Sequence, residues 1–392
     1  MPPTDFIPVS EPRFFGEEQA FVLDCLKTGW ISSSGPYIEK FEEAFARYCA
    51  DGTGAGLGGD PHGEVYGIAC ANGTAALHLA VETLGIGHGD EVIVPDMTII
   101  ASANAVILAG ARPVLAEITP DTWCLDPAKV EERITPRTRA IMPVHMYGHP
   151  CDMDGINRIA RKHRLAVIED ACQAHGSGYH GKRAGVLGEI ACFSFYANKN
   201  ITTGEGGMIV THSRELAEKA RLLRNQAFSP VRFVHHELGF NYRLTNLQAA
   251  IGYAQTLHLD EALALRRRNA RLYLDGLRSC PHLRLPVELP DCLNCYWMFG
   301  CVLEPGAPLT RDQLMEKLKE QGIDTRAFFY PLHLQPVYVK NARKDPRFPV
   351  PPPEGFPVSK SVGLQGLYLP SSLHLAPETI ARVCRAVVTL LS

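Results

Sequence analysis

A strand-to-helix junction near residue 72 could bind an anion. An apolar, strand-like run ends at Ala71, and the segment NGTAALHL then opens an apolar helix. Unpaired backbone N–H groups and the helix dipole favour negative charge at such a junction. Gly73 would let the backbone approach the anion closely, and the Thr74 hydroxyl adds a donor. The alternative is an ordinary helix N-cap that binds no ligand.

A carboxylate and a carboxamide follow a second apolar run, in the segment EDACQAH at 169–175. Asp170 lies at the carboxyl end of a predicted strand, the side on which α/β sheets bind ligands. A carboxylate there can keep a heterocycle nitrogen protonated, because an opposite charge favours the charged form. Gln173 supplies the carboxamide. The alternative is an aspartate that only caps a helix.

A lone lysine, Lys199, follows the apolar strand FSFY and precedes the glycine-rich turn TGEGG. Desolvation at this place would lower the pKa of the amine and make it a nucleophile toward carbonyls. The alternative is a surface lysine whose amine stays in solvent.

Polar and aromatic residues interleave at 239–246 (GFNYRLTN), just before the predicted helix QAAIGYAQTL. Arg243 suits phosphate or carboxylate recognition through its planar guanidinium. Capping and packing are the equally plain alternative. Each of these four features is weak alone, but together they describe an anion site, a pyridinium partner and a carbonyl-reactive amine. Pyridoxal 5′-phosphate is the cofactor that needs all three.

The elements that must position these residues alternate between strand and helix from residue 64 to about 255. Apolar runs such as EVIVP, RAIMPVHMYG, LAVIED and GGMIVTH predict strands, and GTAALHLAVETLGI and GINRIARKHRL predict helices. This alternation predicts an α/β protein with a parallel or mixed sheet covered on both faces. After about residue 255 a long helix, a strand, and an amphipathic closing helix indicate a smaller α+β unit.

Composition excludes several classes of protein. The chain has 392 residues and a net charge of −3, which argues against a dedicated nucleic-acid binder and against disorder. No signal peptide or membrane span is visible, so we expect a cytoplasmic protein. Cys292-x-x-Cys295 lacks a second ligand pair, so no metal is expected. The glycine-rich stretch at 51–63 is misplaced for a dinucleotide fingerprint and favours a flexible surface insertion.

The chain also resembles the DegT/DnrJ/EryC1 family of nucleotide-sugar aminotransferases, which use pyridoxal phosphate. The resemblance runs through seven segments: GWISSSGPYIEKFE, ANGTAALHLAVETLGIGHGDEVIVP, HMYGHPCDMD, EDACQAHGS, FSFYANKNITTGEGGM, GFNYRLTNLQAAIG and TRAFFYPLHLQP. It implies the aspartate-aminotransferase fold (fold type I). On this basis we expect an N-terminal arm and large cofactor-binding domain at 1–255 and a small C-terminal domain at 256–392.

The resemblance implies roles for individual residues. Lys199 would bind the cofactor covalently and then carry protons, while Asp170 would pair with the pyridine nitrogen and Gln173 with the ring hydroxyl. The phosphate would be held by Gly73, Thr74, Ala75 and Ser194, and by Asn241 from the neighbouring subunit, which makes the active unit a homodimer with shared sites. The predicted substrate side comprises Trp30, Ser32, Ser33, Arg243 and His333.

Within the family, the segments YGHPCDMD, NKNITTGEGGM and YWM most resemble enzymes that convert GDP-4-keto-6-deoxy-D-mannose to GDP-perosamine. The implied reaction transfers an amino group from L-glutamate, with pyridoxamine 5′-phosphate between the two half-reactions, in O-antigen or lipopolysaccharide biosynthesis. Another UDP- or dTDP-linked ketosugar is the alternative substrate, and a non-catalytic regulatory protein that binds pyridoxal phosphate is a remote alternative. Lys199 favours transamination over sugar dehydration, for which related enzymes carry histidine at this position.

One departure concerns the cofactor ring. Where the family usually has an aromatic residue stacked on that ring, this chain has Ile99. Aromatic pairs contribute about 0.5–1.5 kcal/mol beyond the buried area. The substitution therefore predicts weaker cofactor binding without loss of catalysis.

Overall fold

The computed structural model describes residues 6–52, 64–231, 233–352 and 355–392. The described residues form thirteen α-helices: α1 Glu17–Thr28, α2 Pro36–Ala50, α3 Gly73–Thr83, α4 Ile100–Leu108, α5 Pro127–Glu131, α6 Met153–His163, α7 Arg214–Arg224, α8 Asn246–Leu257, α9 Leu259–Leu277, α10 Arg311–Glu320, α11 Pro336–Asn341, α12 Pro357–Gln365 and α13 Pro377–Leu391. Most of the predicted insertion at 51–63 lies outside these residues; Asp51 and Gly52 form a turn after α2.

Fourteen strands complete the described elements: β1 Tyr66–Cys70, β2 Glu91–Pro95, β3 Arg112–Ala116, β4 Thr138–Ile141, β5 Ala166–Asp170, β6 Gly178–Tyr179, β7 Lys182–Arg183, β8 Ile190–Ser194, β9 Gly207–Thr211, β10 Leu283–Arg284, β11 Cys292–Leu293, β12 Phe299–Leu303, β13 Arg326–Ala327 and β14 Gly366–Leu369. They build a seven-stranded, a four-stranded and a three-stranded sheet. The predicted α/β class with a large mixed sheet is confirmed.

The seven-stranded sheet has the order β1-β9-β8-β5-β4-β2-β3. Its strands run parallel except β9, which is antiparallel to both of its neighbours. The carboxyl ends of β1, β2, β5 and β8 therefore lie along one edge, where α/β sheets bind their ligands. All four strands are almost wholly buried, as expected for a sheet covered by helices on both faces.

Helix α3 shows how the sequence sets one side of that edge. Nine of its eleven residues are buried, since it packs against both the sheet and α4. The helix begins where Asn72 accepts a hydrogen bond from the N–H of Ala75 through its side chain. This cap fixes the position at which the chain leaves β1 and turns toward the cavity described below.

The predicted strand over residues 139–148 is only partly correct. Strand β4 ends at Ile141, and Pro143 follows, which has no N–H to donate to a sheet. The chain then makes a short 3₁₀ turn at Met146–Gly148, within which Tyr147 has a φ of 51°. The apolar pattern continued past the strand because this turn is buried as well, and burial alone does not distinguish the two.

The C-terminal part of the chain builds the four-stranded sheet β10-β12-β14-β13 and packs it against α9, α10 and α13. The segment between β13 and α12 returns to the large sheet, because Leu332, Tyr338 and Phe356 are buried in the same core as α3 and α4. The two predicted domains thus share a core across the boundary at 255/256, and the division itself stays a prediction. Among the described residues, no helix is both long and apolar enough to cross a lipid bilayer.

Candidate active site

A cavity of about 810 Å³ opens at the carboxyl edge of the large sheet. Such a volume is typical of sites for small molecules and cofactors. All nine residues predicted to bind the cofactor line it: Gly73, Thr74, Ala75, Ile99, Asp170, Gln173, Ser194, Lys199 and Asn241. The fold therefore brings together residues that are spread over about 170 positions of sequence.

The N-terminus of α3 forms one wall of the cavity. Its first N–H groups have no partner within the helix, and the Asn72 cap uses that of Ala75. A Cβ added at Gly73 would lie 2.7 Å from the Ser194 Cβ and 3.2 Å from the Cys172 Sγ. Only glycine fits between these neighbours. The wall thus presents backbone donors and the Ser194 hydroxyl at a helix N-terminus, which suits a phosphate.

The Asp170 carboxylate is fully buried at the end of β5. Its Oδ2 accepts a hydrogen bond from the Ser102 hydroxyl at 2.7 Å, and its Oδ1 accepts one from the Cys172 N–H at 3.2 Å. Buried carboxylates require such donors. Ser102 lies on α4 and was not predicted as a site residue, because nothing in its local sequence identifies its partner.

The neighbouring carboxylate, Glu169, points to the opposite face of the strand, as alternation requires. It accepts backbone N–H groups from Leu187 at 2.7 Å and Gly188 at 2.6 Å, and it pairs with the His145 Nε2 at 3.0 Å. Glu169 and His145 are both fully buried. This network fixes the end of β5, and with it the position of Asp170.

Gln173 lies in the cavity wall and is almost fully buried. Its Oε1 accepts a hydrogen bond from the Tyr147 N–H at 2.9 Å. That contact defines the orientation of the amide, so the NH2 group remains as the donor for a ligand.

Lys199 lies in the loop between β8 and β9. Burial lowers the pKa of its amine from 10.5 to about 8, although Cys172 and Asp170 act in the opposite direction. The loop itself is fixed, since the Thr203 N–H and the Thr202 hydroxyl both donate to the Phe195 carbonyl. A fixed amine with a lowered pKa is the arrangement that attack on a carbonyl requires.

The Lys199 Nζ lies 3.6 Å from the centre of the Trp297 ring. The indole is itself held, because its Nε1 donates to the Asn198 carbonyl at 2.9 Å. Trp297 was not predicted as a site residue, although it belongs to the YWM segment that contributed to the resemblance. Its contact with the lysine joins residues far apart in sequence, and no local pattern identifies it.

His78 and Tyr242 are two further cavity residues that sequence reasoning missed. The His78 Nδ1 lies 3.0 Å from the Tyr242 hydroxyl, and burial lowers the pKa of the imidazole. His78 follows Thr74 by four positions, which places both residues on the same face of α3. That spacing was the available signal.

None of the five predicted substrate residues lines the cavity in the described part of a single chain. Trp30 and Ser32 are exposed after α1, in a segment whose carbonyls accept hydrogen bonds from Asn246. Ser33 lies beside them, half-buried. The Arg243 guanidinium donates to the Asn225 Oδ1 at 2.6 Å.

His333, the fifth of these residues, pairs with a buried aspartate. Its Nδ1 lies 2.6 Å from the Asp96 Oδ2, and its backbone N–H donates to the other carboxylate oxygen. The pair joins the C-terminal segment to the end of β2. Roles in substrate binding for all five residues stay predictions.

The cavity residues fit pyridoxal phosphate. The anion wall at Gly73, the buried carboxylate of Asp170 and the amine of Lys199 match the phosphate, the pyridine nitrogen and the carbonyl of this cofactor. Among the described residues, no group of three or more His, Cys, Asp or Glu could hold a metal ion.

Comparisons with known proteins point to one family of enzymes. Residues 13–388 match the model of the DegT/DnrJ/EryC1/StrS aminotransferase family. A Caulobacter vibrioides protein named GDP-perosamine synthase is 46% identical over 387 residues, which cover 97% of each chain. A Streptomyces venezuelae dTDP-3-amino-3,4,6-trideoxy-alpha-D-glucose transaminase is 42% identical over 90% of this chain and 86% of its own length. The crystal structure of S. venezuelae DesV with a ketimine intermediate is 38% identical and superimposes with a TM-score of 0.86 over 98% of this chain and 99% of that one.

Proposed function

The chain belongs to the DegT/DnrJ/EryC1/StrS aminotransferase family, and we propose that it transfers an amino group from L-glutamate to GDP-4-keto-6-deoxy-D-mannose, forming GDP-perosamine. The fold is that of the pyridoxal-phosphate aminotransferases of fold type I, and pyridoxal 5′-phosphate is the cofactor. The observation that carries the proposal is the meeting of Lys199, Asp170 and the N-terminus of α3 in one cavity.

Bound pyridoxal phosphate supplies a carbonyl that carries the amino group and a ring that takes up electrons. The residues that would hold it are those of the cavity wall. Gly73, Thr74 and Ser194 would bind the phosphate, and Asp170 would keep the ring nitrogen protonated, because a buried carboxylate favours a positive charge beside it. Gln173 would donate its NH2 group to the ring hydroxyl.

Lys199 is the proposed proton carrier. Its Nζ would take the proton from Cα of L-glutamate in the first half-reaction, which leaves 2-oxoglutarate. In the second, the same atom would deliver a proton to C4 of the ketosugar. An amine serves both directions best when its pKa lies near the working pH, and burial lowers that of Lys199 to about 8.

The choice of sugar rests on similarity. The relative named GDP-perosamine synthase is 46% identical over nearly the whole of both chains. The transaminase named for a dTDP-linked amino sugar is 42% identical over a shorter part, which favours a dTDP-linked ketosugar as the second candidate. A UDP-linked ketosugar is a further alternative. Small changes in a pocket are enough to alter such a preference.

We further propose a homodimer that works in the cytoplasm. Four exposed apolar side chains lie close together in sequence, at Val231, Phe233, Val234 and Leu238, of which Val231 is 63% and Leu238 is 94% exposed. Apolar surface of this kind typically marks a protein–protein interface. Asn241 follows this segment in sequence, and its predicted contact with the cofactor phosphate of a second copy would place an interface beside it.

The test is an assay of the purified protein with L-glutamate and a panel of GDP-, UDP- and dTDP-linked 4-keto- and 3-ketosugars. We expect the highest kcat/KM for GDP-4-keto-6-deoxy-D-mannose. The Lys199→Ala variant is the negative control. It should not convert any of the sugars and should lack the visible absorbance of the lysine-bound cofactor. Faster turnover of a UDP- or dTDP-linked sugar would replace the proposed substrate, and undiminished turnover by Lys199→Ala would refute the mechanism.

The remote alternative, a regulatory protein without turnover, makes a different prediction for the same assay. L-glutamate should then yield no 2-oxoglutarate, and no ketosugar in the panel should return the cofactor from its amino form to its aldehyde form. Release of 2-oxoglutarate followed by reset with a ketosugar would exclude this alternative.

A further inference from the structure

The contact between Lys199 and Trp297 brings an amine directly over an aromatic face. The Nζ lies 3.6 Å from the ring centre, well inside the distance at which a ring quadrupole attracts a cation. Trp297 is 4% exposed and Lys199 is half-buried, so the pair is partly shielded from water. The geometry thus describes a partly desolvated cation–π pair within the cavity.

The indole is held rigidly in this position. Its Nε1 donates to the carbonyl of Asn198, the residue that precedes the lysine. Its face stacks on Tyr147, with 6.1 Å between the ring centres and 19° between the planes. Tyr147 is in turn fixed to Gln173 through its N–H. An indole held by these two contacts can position the amine that lies over its ring.

An aromatic partner has a different effect on the amine than a carboxylate would have. An ion pair with Asp170 would hold the proton on the lysine firmly and would occupy the carboxylate that the cofactor ring needs. The ring face attracts the ammonium more weakly, so the amine can still lose its proton. Burial lowers the pKa of Lys199 to about 8, so part of the amine population is unprotonated near neutral pH.

We propose that the face of Trp297 holds the Lys199 ammonium whenever this lysine is not bonded to the cofactor, and so keeps the amine beside the reacting atoms. Trp297 is on this view a positioning residue that acts through Lys199. The inference rests on the proposed function only in taking Lys199 as the reactive amine, and it does not depend on which sugar is the substrate.

The experiment measures Lys199 in the cofactor-free enzyme. Trinitrobenzenesulfonate labels only unprotonated amines, so the labelling rate of Lys199, followed against pH by peptide mass spectrometry, gives the pKa of this group. Trp297→Met removes the ring but keeps an apolar neighbour, and Trp297→Phe keeps a ring but loses the indole N–H. Exposed Lys340 serves as the internal reference for reagent activity.

For the wild type we expect a midpoint of about 8. Because the ring favours the charged amine, Trp297→Met should move the midpoint to lower pH and raise the labelling rate at pH 7 about two- to sixfold. Trp297→Phe should stay close to the wild type. Circular dichroism verifies the fold, and Trp297→Leu replaces the methionine variant if that variant does not refold.

The variants separate the effect of the ring face on the pKa of Lys199 from the effect of the indole hydrogen bond. Equal shifts in the phenylalanine and aliphatic variants would assign the effect to the bond with Asn198 and overturn the inference. An unchanged or higher midpoint without the ring would also overturn it. A wild type that labels as expected but turns over no ketosugar would count against the proposed function and leave this inference standing.

Discussion

Ser102 shows how much a single buried hydroxyl contributes to the site. It donates to the Asp170 carboxylate at 2.7 Å, and both residues are fully buried. Its loss would leave that carboxylate with donors from Cys172, whose N–H donates to Oδ1 at 3.2 Å.

We therefore expect Ser102→Ala to lower the free energy of unfolding of the cofactor-free protein by about 1.5–3 kcal/mol, the range for hydrogen bonds to charged groups. Urea denaturation measures this value. Ser102→Thr retains the hydroxyl and is the control, with an expected loss below about 1 kcal/mol. Equal stability of the alanine variant and the wild type would show that the hydrogen bond is not formed in solution.

A substitution at Ile99 is expected to increase the affinity for the cofactor. Its side chain is 40% exposed and lines the cavity at the start of α4, where the family usually has an aromatic residue. We expect Ile99→Phe to tighten cofactor binding about two- to tenfold, because ring stacking adds about 0.5–1.5 kcal/mol beyond the buried area. Titration of the cofactor-free enzyme with pyridoxal phosphate measures the affinity. Ile99→Leu is the control, and an equal gain there would attribute the effect to apolar contact.

For single residues, the sequence predicted which side chains carry the chemistry but not which side chains they contact. Lys199 and Asp170 could be predicted because each follows an apolar strand and carries a group the cofactor needs. Ser102 and Trp297 could not, because their partners lie 68 and 99 positions away and no local pattern records such distances.

The junction of β1 and α3 depends on the absence of a side chain. A Cβ at Gly73 would lie 2.7 Å from the Cβ of Ser194, which is on a neighbouring part of the sheet edge. We expect Gly73→Ala to cost about 1–3 kcal/mol of stability through overpacking and to weaken cofactor binding, because the helix N-terminus must move away from β8.

Urea denaturation and cofactor titration measure the two effects. Gly87→Ala is the matched control, since a Cβ there meets its nearest neighbour, the Ala109 carbonyl, at 3.4 Å, an ordinary contact. A Gly73→Ala variant that binds the cofactor as tightly as the control would contradict the assignment of this wall to the phosphate.

The existence of most elements followed from the apolar patterns, but their arrangement did not. The helices α3 and α6 lie where periodicity predicts them. The antiparallel direction of β9 leaves no trace in its sequence, because a strand buried on both faces is apolar whichever way it runs. The predicted strand at 139–148 extends past the end of β4 for a similar reason, because the turn that follows the strand is as apolar as the strand itself.

At the scale of the whole molecule, co-expression of two differently inactivated subunits tests whether the subunits share their active sites. If Asn241 serves the cofactor of its partner, a hybrid of Lys199→Ala and Asn241→Ala subunits contains one site with both defects and one intact site. Each variant alone should be inactive. Co-expression should then restore about a quarter of the wild-type activity, since half of the dimers are hybrids.

The alternative follows from the single chain, in which Asn241 lines its own cavity. If it acts there, every site of the hybrid carries one defect and co-expression restores nothing. Light scattering measures the size of the species, and a monomeric wild type would remove the premise of the experiment.

The position of β9 between β1 and β8 also bears on how the active site comes into being. β8 and β9 form a hairpin whose loop carries Lys199, so this pairing closes a short stretch of chain. β1 pairs with the other side of β9 from Tyr66 with Thr211 to Cys70 with Gly207, so its partners lie about 140 positions away in sequence. Local pairings form faster than distant ones, because a long loop costs more entropy to close. The lysine would therefore be in place early in folding, and the phosphate wall at Gly73 would arrive late. The folding chain would thus hold its reactive amine in the native position before the phosphate-binding wall has formed.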